Sequence, residues 1–145
     1  MSLQGTYDPQ NIFAQIIRGD APCYKLYEDD DVLAFLDLFP QSVGHTLVIP
    51  KRSAARNILE VDPEALGKVM GVVQRLTRVI VDELNPDGVQ VAQFNGAPAG
   101  QTVFHIHMHI VPRYAGQGLG IHAAQKADPA ELEQLQARLL RRSEG

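Results

Sequence analysis

His105, His107 and His109 are three of the chain's five histidines, and they fall in the run His105-Ile106-His107-Met108-His109-Ile110-Val111-Pro112-Arg113. In an extended strand alternate side chains share a face. The three imidazoles then line one side, about 6.5–7 Å between neighbours, while Ile106, Met108 and Ile110 fill the other. Such a row suits metal binding or chemistry on an anionic group. One zinc ion cannot take all three, because the outer pair is about 13–14 Å apart on extended backbone and zinc bonds are about 2 Å long. His45 and His122 are the remaining imidazoles, and no suitably spaced carboxylate stands near the run. No resident metal or cofactor is expected. A neutral imidazole, with an ordinary pKa of about 6.5, is instead available at pH 7 to attack phosphorus and form a covalent intermediate. Its neighbours would bind phosphate oxygens or protonate a leaving group. The preceding loop, Asn95-Gly96-Ala97-Pro98-Ala99-Gly100-Gln101-Thr102, has the glycines to bring backbone N–H groups close to an anion.

The elements that must position these groups follow from the pattern. Asp8-Pro9 is a helix start, with Ile12, Phe13, Ile16 and Ile17 as the apolar face and Gly19 as the stop. Strands are predicted over Tyr24–Tyr27 and Val32–Asp37, joined by an acidic turn at Glu28–Asp31, and over Thr46–Pro50. Asp62-Pro63 opens a long helix. Leu66, Val69, Met70, Val73, Leu76, Thr77, Ile80 and Leu84 recur at its spacing, and Asn85-Pro86-Asp87-Gly88 stops it. Val72, Val79 and Val81 lie off that stripe and fit burial at a second surface. Strands follow over Val89–Phe94 and Val103–Val111, then a loop at Gly116–Gly120. Asp128-Pro129-Ala130-Glu131 opens a last helix carrying Leu132, Leu135 and Leu139. Hairpin-like strands around a long helix predict an α+β domain with an antiparallel sheet.

The 145 residues, 45% hydrophobic and 21% charged, are sufficient for one domain with a core. That domain is read as 8–145, with a C-terminal extension from about 115 and residues 1–7 set aside as a disordered leader. A net charge of -4 without a basic stripe disfavours nucleic acid as partner but not a nucleotide as ligand. Neither a signal peptide nor a membrane span is read, so a cytoplasmic protein with no membrane partner is expected. Cys23 is the only cysteine, which excludes an intrachain disulfide and a Cys-x-x-Cys zinc motif.

The histidine run resembles the signature of the histidine triad (HIT) superfamily. Gly44-His45-Thr46-Leu47-Val48-Ile49-Pro50-Lys51 resembles its second block, and Ile12-Phe13 through Pro22 and Glu28 through Asp37 its N-terminal block. Gly100-Gln101-Thr102-Val103 resembles the approach to the triad. The similarity spans about residues 11–114 and is nearest to the Hint-like and bacterial branches. It implies the HIT fold, a five-stranded antiparallel sheet with a long helix, here with a C-terminal helix, in a homodimer whose sheets join.

The implied activity is hydrolysis or transfer at the α-phosphate of a purine nucleotide conjugate, a phosphoramidate first. A dinucleoside polyphosphate hydrolase and a non-catalytic nucleotide-binding module are the alternatives. By the resemblance His107 is the nucleophile and His109 supports phosphate charge. His105 holds the strand and helps fix the His107 tautomer, and His45 reaches the phosphate from the next strand. Thr102 contacts the phosphate or leaving group, and Gln101 and Asn95 lie along the substrate. Asp37 binds the ribose, and Phe13, Ile16, Phe35 and Leu38 line the purine pocket. No metal is implied in the chemistry. The chain departs from the pattern at Phe94, where Asn or Gln is usual. Ala14 and the lone Cys23 exclude the structural zinc that N-terminal cysteines bind in some bacterial relatives.

Overall fold

The computed structural model describes residues 3–117 and 125–144. His122 and the end of the Gly116–Gly120 loop lie outside the described residues.

The first helix, α1 (Ile12–Arg18), begins three residues later than Asp8-Pro9 suggested. Asn11 is the cap: its side-chain oxygen accepts from Ala14 N–H at 2.9 Å, while Asp8 Oδ1 is used in a turn with Gln10 N–H. A side-chain acceptor nearer the apolar run competes with an earlier one, and a good cap contributes about 1 kcal/mol. Gly19, at φ 85°, closes the helix in the left-handed region.

Strands β1 (Lys25–Glu28), β2 (Val32–Leu36) and β3 (Thr46–Pro50) follow. The long helix α2 (Pro63–Leu84) is capped by Asp62 and ended by Asn85 at φ 49°, as its Asp-Pro and Asn-Pro-Asp-Gly signals predicted. Then come β4 (Gly88–Ala92), β5 (Met108–Arg113) and α3 (Pro129–Glu144). The sheet is five-stranded in the order β1-β2-β3-β5-β4, with every neighbouring pair antiparallel. The α+β HIT architecture expected from the resemblance is the one found.

The period of two along the strands sorts the core into two sides. Val32, Ala34, Leu36, Val48, Met108 and Ile110 face one way, and with α2 and the leucines of α3 they form the main core. Leu33, Phe35, Leu47 and Ile49 face the other way and pack with Phe13 of α1. Leu47 pairs with His109 across β3 and β5. The histidines therefore lie on the α1 face, and α3 packs on the opposite face. Val72 is buried in the main core and Val79 packs against it, together with Leu132, Leu135 and Leu139. Val72 and Val79 thus belong to the main core that α3 shares; Val81 is exposed. The C-terminal helix is part of the core, tied further by Arg138 and Arg142 on Glu83 at 3.0 and 3.1 Å. Among the described residues no helix is long and apolar enough to cross a membrane.

Candidate functional site

The strand predicted over Val103–Val111 is shorter. Ladder pairing begins only at Met108, so His105 and His107 precede it. Their alternation persists without the ladder, because Ile106 is buried against Ala55 and Val61 and Ile106 N–H bonds Ala55 O at 3.0 Å. The rings of His107 and His109 lean together, with centroids 4.9 Å apart, closer than the backbone repeat.

Hydrogen-bond partners assign each tautomer, because a carbonyl oxygen only accepts and a backbone N–H only donates. His107 Nδ1 lies 2.8 Å from the carbonyl of His105, so Nδ1 carries a hydrogen. His105 Nε2 lies 2.9 Å from Pro50 O. It therefore donates, and its Nδ1 accepts from Tyr7 O–H at 2.7 Å. His45 Nδ1 accepts from Gln41 N–H at 3.0 Å. Its Nε2–H then donates to His109 Nδ1 at 2.9 Å, which leaves the His109 hydrogen on Nε2. Burial pushes the His105 pKa below its ordinary value, against a smaller upward pull from the Pro50 bond. His105 is thereby held neutral near pH 7.

His45 is fully enclosed, at 2% exposure. Taken by itself in the sequence it reads as an exposed turn histidine. The fold places it at the foot of β3 after Gly44, whose φ is +100° and where a Cβ would stand 2.7 Å from Leu84 Cδ1. Only glycine fits that corner, and it turns the next side chain inward. Asp37 follows β2 directly. Its Oδ2 is 3.4 Å from His45 Nε2, and its Oδ1 accepts from Phe39 N–H at 2.9 Å. Sequence spacing offered the histidines no carboxylate; the sheet supplies one. Asp37, His45 and His109 have ligand atoms within 4.8 Å of one another and are close enough to hold a metal ion, although His45 and His109 are also joined to each other by a hydrogen bond at 2.9 Å.

His107, His109 and Asp37 open on a cavity of about 350 Å³, within the range of small-molecule sites. Phe13, Ile16, Phe35 and Leu38 form its apolar wall, and Thr102 stands at its rim. Phe13 meets His107 edge-on at 4.9 Å and Phe35 at 5.5 Å. These five expected residues therefore come together with the histidines. Ile12, Pro22, Cys23 and Phe39 also line the cavity; Ile12 and Pro22 lie in the N-terminal block but, like Cys23 and Phe39, carried no sign of a place in the pocket. Burial pushes the Cys23 thiol up, so it stays protonated and adds apolar surface.

Two expected substrate residues are placed elsewhere. Gln101 is buried and braces the loop: its Oε1 accepts from Gly96 N–H at 2.8 Å, and its Nε2 donates to Arg56 O at 2.6 Å and Val103 O at 3.0 Å. Asn95 Oδ1 accepts from Ile58 N–H at 2.9 Å and from Gln93 Nε2 at 2.7 Å. Neither lines the cavity. The loop's backbone is engaged as well. The N–H of Gly96 goes to Gln101, those of Ala99 and Gln101 to Gly96 O, and that of Gly100 to Ala97 O. Its glycines make a tight 3-10 turn, so the expected cradle of N–H groups for an anion is not formed by these four. Phe94, at the position where Asn or Gln was expected, sets its ring 5.1 Å from that of His109.

The segment set aside as a leader makes contacts of its own. Residues 3–7 have no regular structure, yet Leu3 O accepts from Asn57 Nδ2 at 2.7 Å and Tyr7 reaches His105. A single tyrosine in a polar terminus gave no periodicity to read. Residues 1 and 2 lie outside the described residues.

The chain is similar to known proteins of one family. The family profile described as HIT domain matches residues 18–116. The chain is 46% identical over 126 residues to Protein hit of Bacillus subtilis, covering 86% of each chain. It is 42% identical over 102 residues to adenylylsulfatase HINT3 of Arabidopsis thaliana, covering 70% of this chain and 51% of that one. Among solved structures, a Hit-like protein from Bartonella henselae superposes with a TM-score of 0.89 at 41% identity, covering 95% of this chain and 99% of that one.

Proposed function

Because this chain belongs to the HIT domain family, we propose that it is a nucleotide hydrolase or transferase acting at the α-phosphate of a purine nucleotide conjugate. The observation that carries this reading is the hydrogen bond of His107: its Nδ1–H is tied to the His105 carbonyl at 2.8 Å, on a ring that lines the cavity. A relative named for adenylylsulfatase activity supports the same class of chemistry.

In the proposed reaction His107 Nε2 attacks the α-phosphorus. The N–P bond forms as the bond from phosphorus to the leaving group breaks, and the leaving group departs with a proton taken from solvent, which the attacking water of the second step returns. Water then attacks the nucleotidyl-His107 phosphorus. The P–O bond forms, the N–P bond breaks, and a nucleoside monophosphate is released. The His109 Nε2–H, fixed through His45, is a donor beside that centre for the negative charge of the transition state. Thr102 at the rim contacts the phosphate, Asp37 binds the ribose hydroxyls, and Phe13, Ile16, Phe35 and Leu38 hold the base. A phosphoramidate is the favoured substrate, and a dinucleoside polyphosphate the second. In the proposed homodimer β4 is the joining edge: it pairs only with β5, and Val91 on it is 45% exposed.

The test is turnover of adenosine 5′-phosphoramidate and a diadenosine polyphosphate by wild type and His107→Ala. The expected result is turnover in wild type, none in the variant, and AMP binding in both. Full activity of His107→Ala overturns the mechanism. Binding of AMP with no turnover of either compound by wild type gives the non-catalytic module instead.

A further inference from the structure

We propose that Tyr7 is a positioning residue for the nucleophile, acting through His105, and that the N-terminal segment 3–7 is the strap that delivers it. The proposal rests on the reading of His107 as nucleophile. The His107 tautomer is set by the bond of Nδ1–H to the carbonyl of His105 at 2.8 Å. That carbonyl belongs to a residue outside the sheet ladder, since β5 begins only at Met108. Its place is therefore set by what holds the His105 side chain and its neighbours. The ring is held at both nitrogens, with Nε2–H donating to Pro50 O at 2.9 Å and Nδ1 accepting from Tyr7 O–H at 2.7 Å. The Tyr7 ring also meets it edge-on at 5.8 Å. With 1% of His105 exposed, water is a poor substitute for the Tyr7 hydroxyl.

The strap is tied to the same framework upstream. Leu3 O accepts from Asn57 Nδ2 at 2.7 Å, and Asn57 is fully buried. At Gly5 a Cβ would stand 2.9 Å from the guanidinium of Arg56, itself buried over the Phe104 ring. The loop that holds the strap also holds the triad, through Ile106 N–H on Ala55 O at 3.0 Å and Gln101 Nε2 on Arg56 O at 2.6 Å. Tyr7 thus closes a circuit from the terminus through His105 to His107. Removing its hydroxyl takes a donor from a buried imidazole nitrogen and frees the His105 ring to turn. A small displacement of the carbonyl that orients the nucleophile is expensive in rate, because attack depends on alignment.

The experiment compares wild type, Tyr7→Phe and Tyr7→Ala in steady-state assays with adenosine 5′-phosphoramidate, together with 15N NMR of the imidazoles. Tyr7→Phe keeps the ring and its packing. The expected result is a kcat reduced about 10- to 100-fold with KM within about twofold of wild type. In the same variant the His107 signal should move from a pure Nδ1–H tautomer to a mixture. A purely structural role predicts the reverse pattern, with Tyr7→Phe like wild type and only Tyr7→Ala impaired, and that pattern overturns the proposal. If wild type turns over neither the phosphoramidate nor a diadenosine polyphosphate, the hydrolase reading fails separately. The NMR then decides alone: an unchanged His107 tautomer in Tyr7→Phe overturns the positioning role, and a mixture supports it.

Discussion

Replacing His45 tests whether the buried imidazole pair does more than fill space. His45 receives Gln41 N–H at 3.0 Å on Nδ1 and gives its Nε2–H to His109 Nδ1 at 2.9 Å. His45→Ala removes these two bonds, with the 3.4 Å contact to Asp37 Oδ2, and leaves a void. Each buried hydrogen bond contributes about 1 kcal/mol net, and the void adds to this, so the expected loss of stability is roughly 2–4 kcal/mol. The effect on catalysis has two parts. A bond of about 1.4 kcal/mol biases the two His109 tautomers about tenfold, and without it the Nε2–H form falls from about nine-tenths to about half. That accounts for only a factor of about two. The greater part comes from orientation: a His109 ring no longer pinned at Nδ1 turns away from the reacting phosphoryl group, and the expected total is a kcat reduced about 10- to 100-fold with KM changed less than about threefold. The assay is steady-state phosphoramidate turnover at a temperature where thermal denaturation shows both proteins folded. His45→Gln sets an amide N–H near the position of Nε2 and is expected to recover most of the rate. A folded His45→Ala with kcat within about twofold of wild type refutes the argument, as does a glutamine variant no better than alanine.

Phe13 packs edge-on to both Phe35 and His107, so Phe13→Ala is expected to lower stability by about 3–5 kcal/mol and to raise KM more than it lowers kcat. Urea unfolding with kinetics on the folded fraction checks this, and an unchanged KM would remove Phe13 from the base wall. Burial holds the His105 pKa below the ordinary 6.5, so the unfolded chain takes up its proton first. The stability from this group is complete above about pH 6.5 and is lost as pH falls from there through the depressed folded value. The thermal midpoint is expected to drop below that pH, and His105→Gln to flatten the drop; equal slopes in the two proteins contradict the buried-neutral assignment. Light scattering is expected to give a dimer mass, with Val91→Lys on the β4 edge shifting it toward monomer. A monomeric wild type ends the proposal of a joined sheet.

The chain carried much of its own description in local patterns. Asp62-Pro63 and Asn85 delimit α2 because capping chemistry acts within a few residues. The alternation from Ile106 to Ile110 assigned the histidines a common side because period two belongs to any extended backbone, whether or not it pairs in a ladder. The block of residues around His45 and the triad, read together, gave the family and with it the sheet.

What depended on distance along the chain was not legible. His45 lies 64 residues from His109, and no local signal turns an apparent surface histidine into the donor that sets another ring's tautomer. Asp37 reaches His45 only because β2 and β3 pair in register from Val32 with Pro50 to Leu36 with Thr46. Gln101 and Asn95 carry residue types suited to a substrate, yet the 3-10 turn at Ala97–Ala99 directs them into bracing bonds. Tyr7, 98 residues from His105, stood in a segment without periodicity and acquires meaning only when the terminus folds back on the triad. Local sequence determines which conformations and which proton donors are available. Which donor faces which acceptor is decided by packing, because burial makes each unpaired polar atom costly and the whole fold must supply its partner.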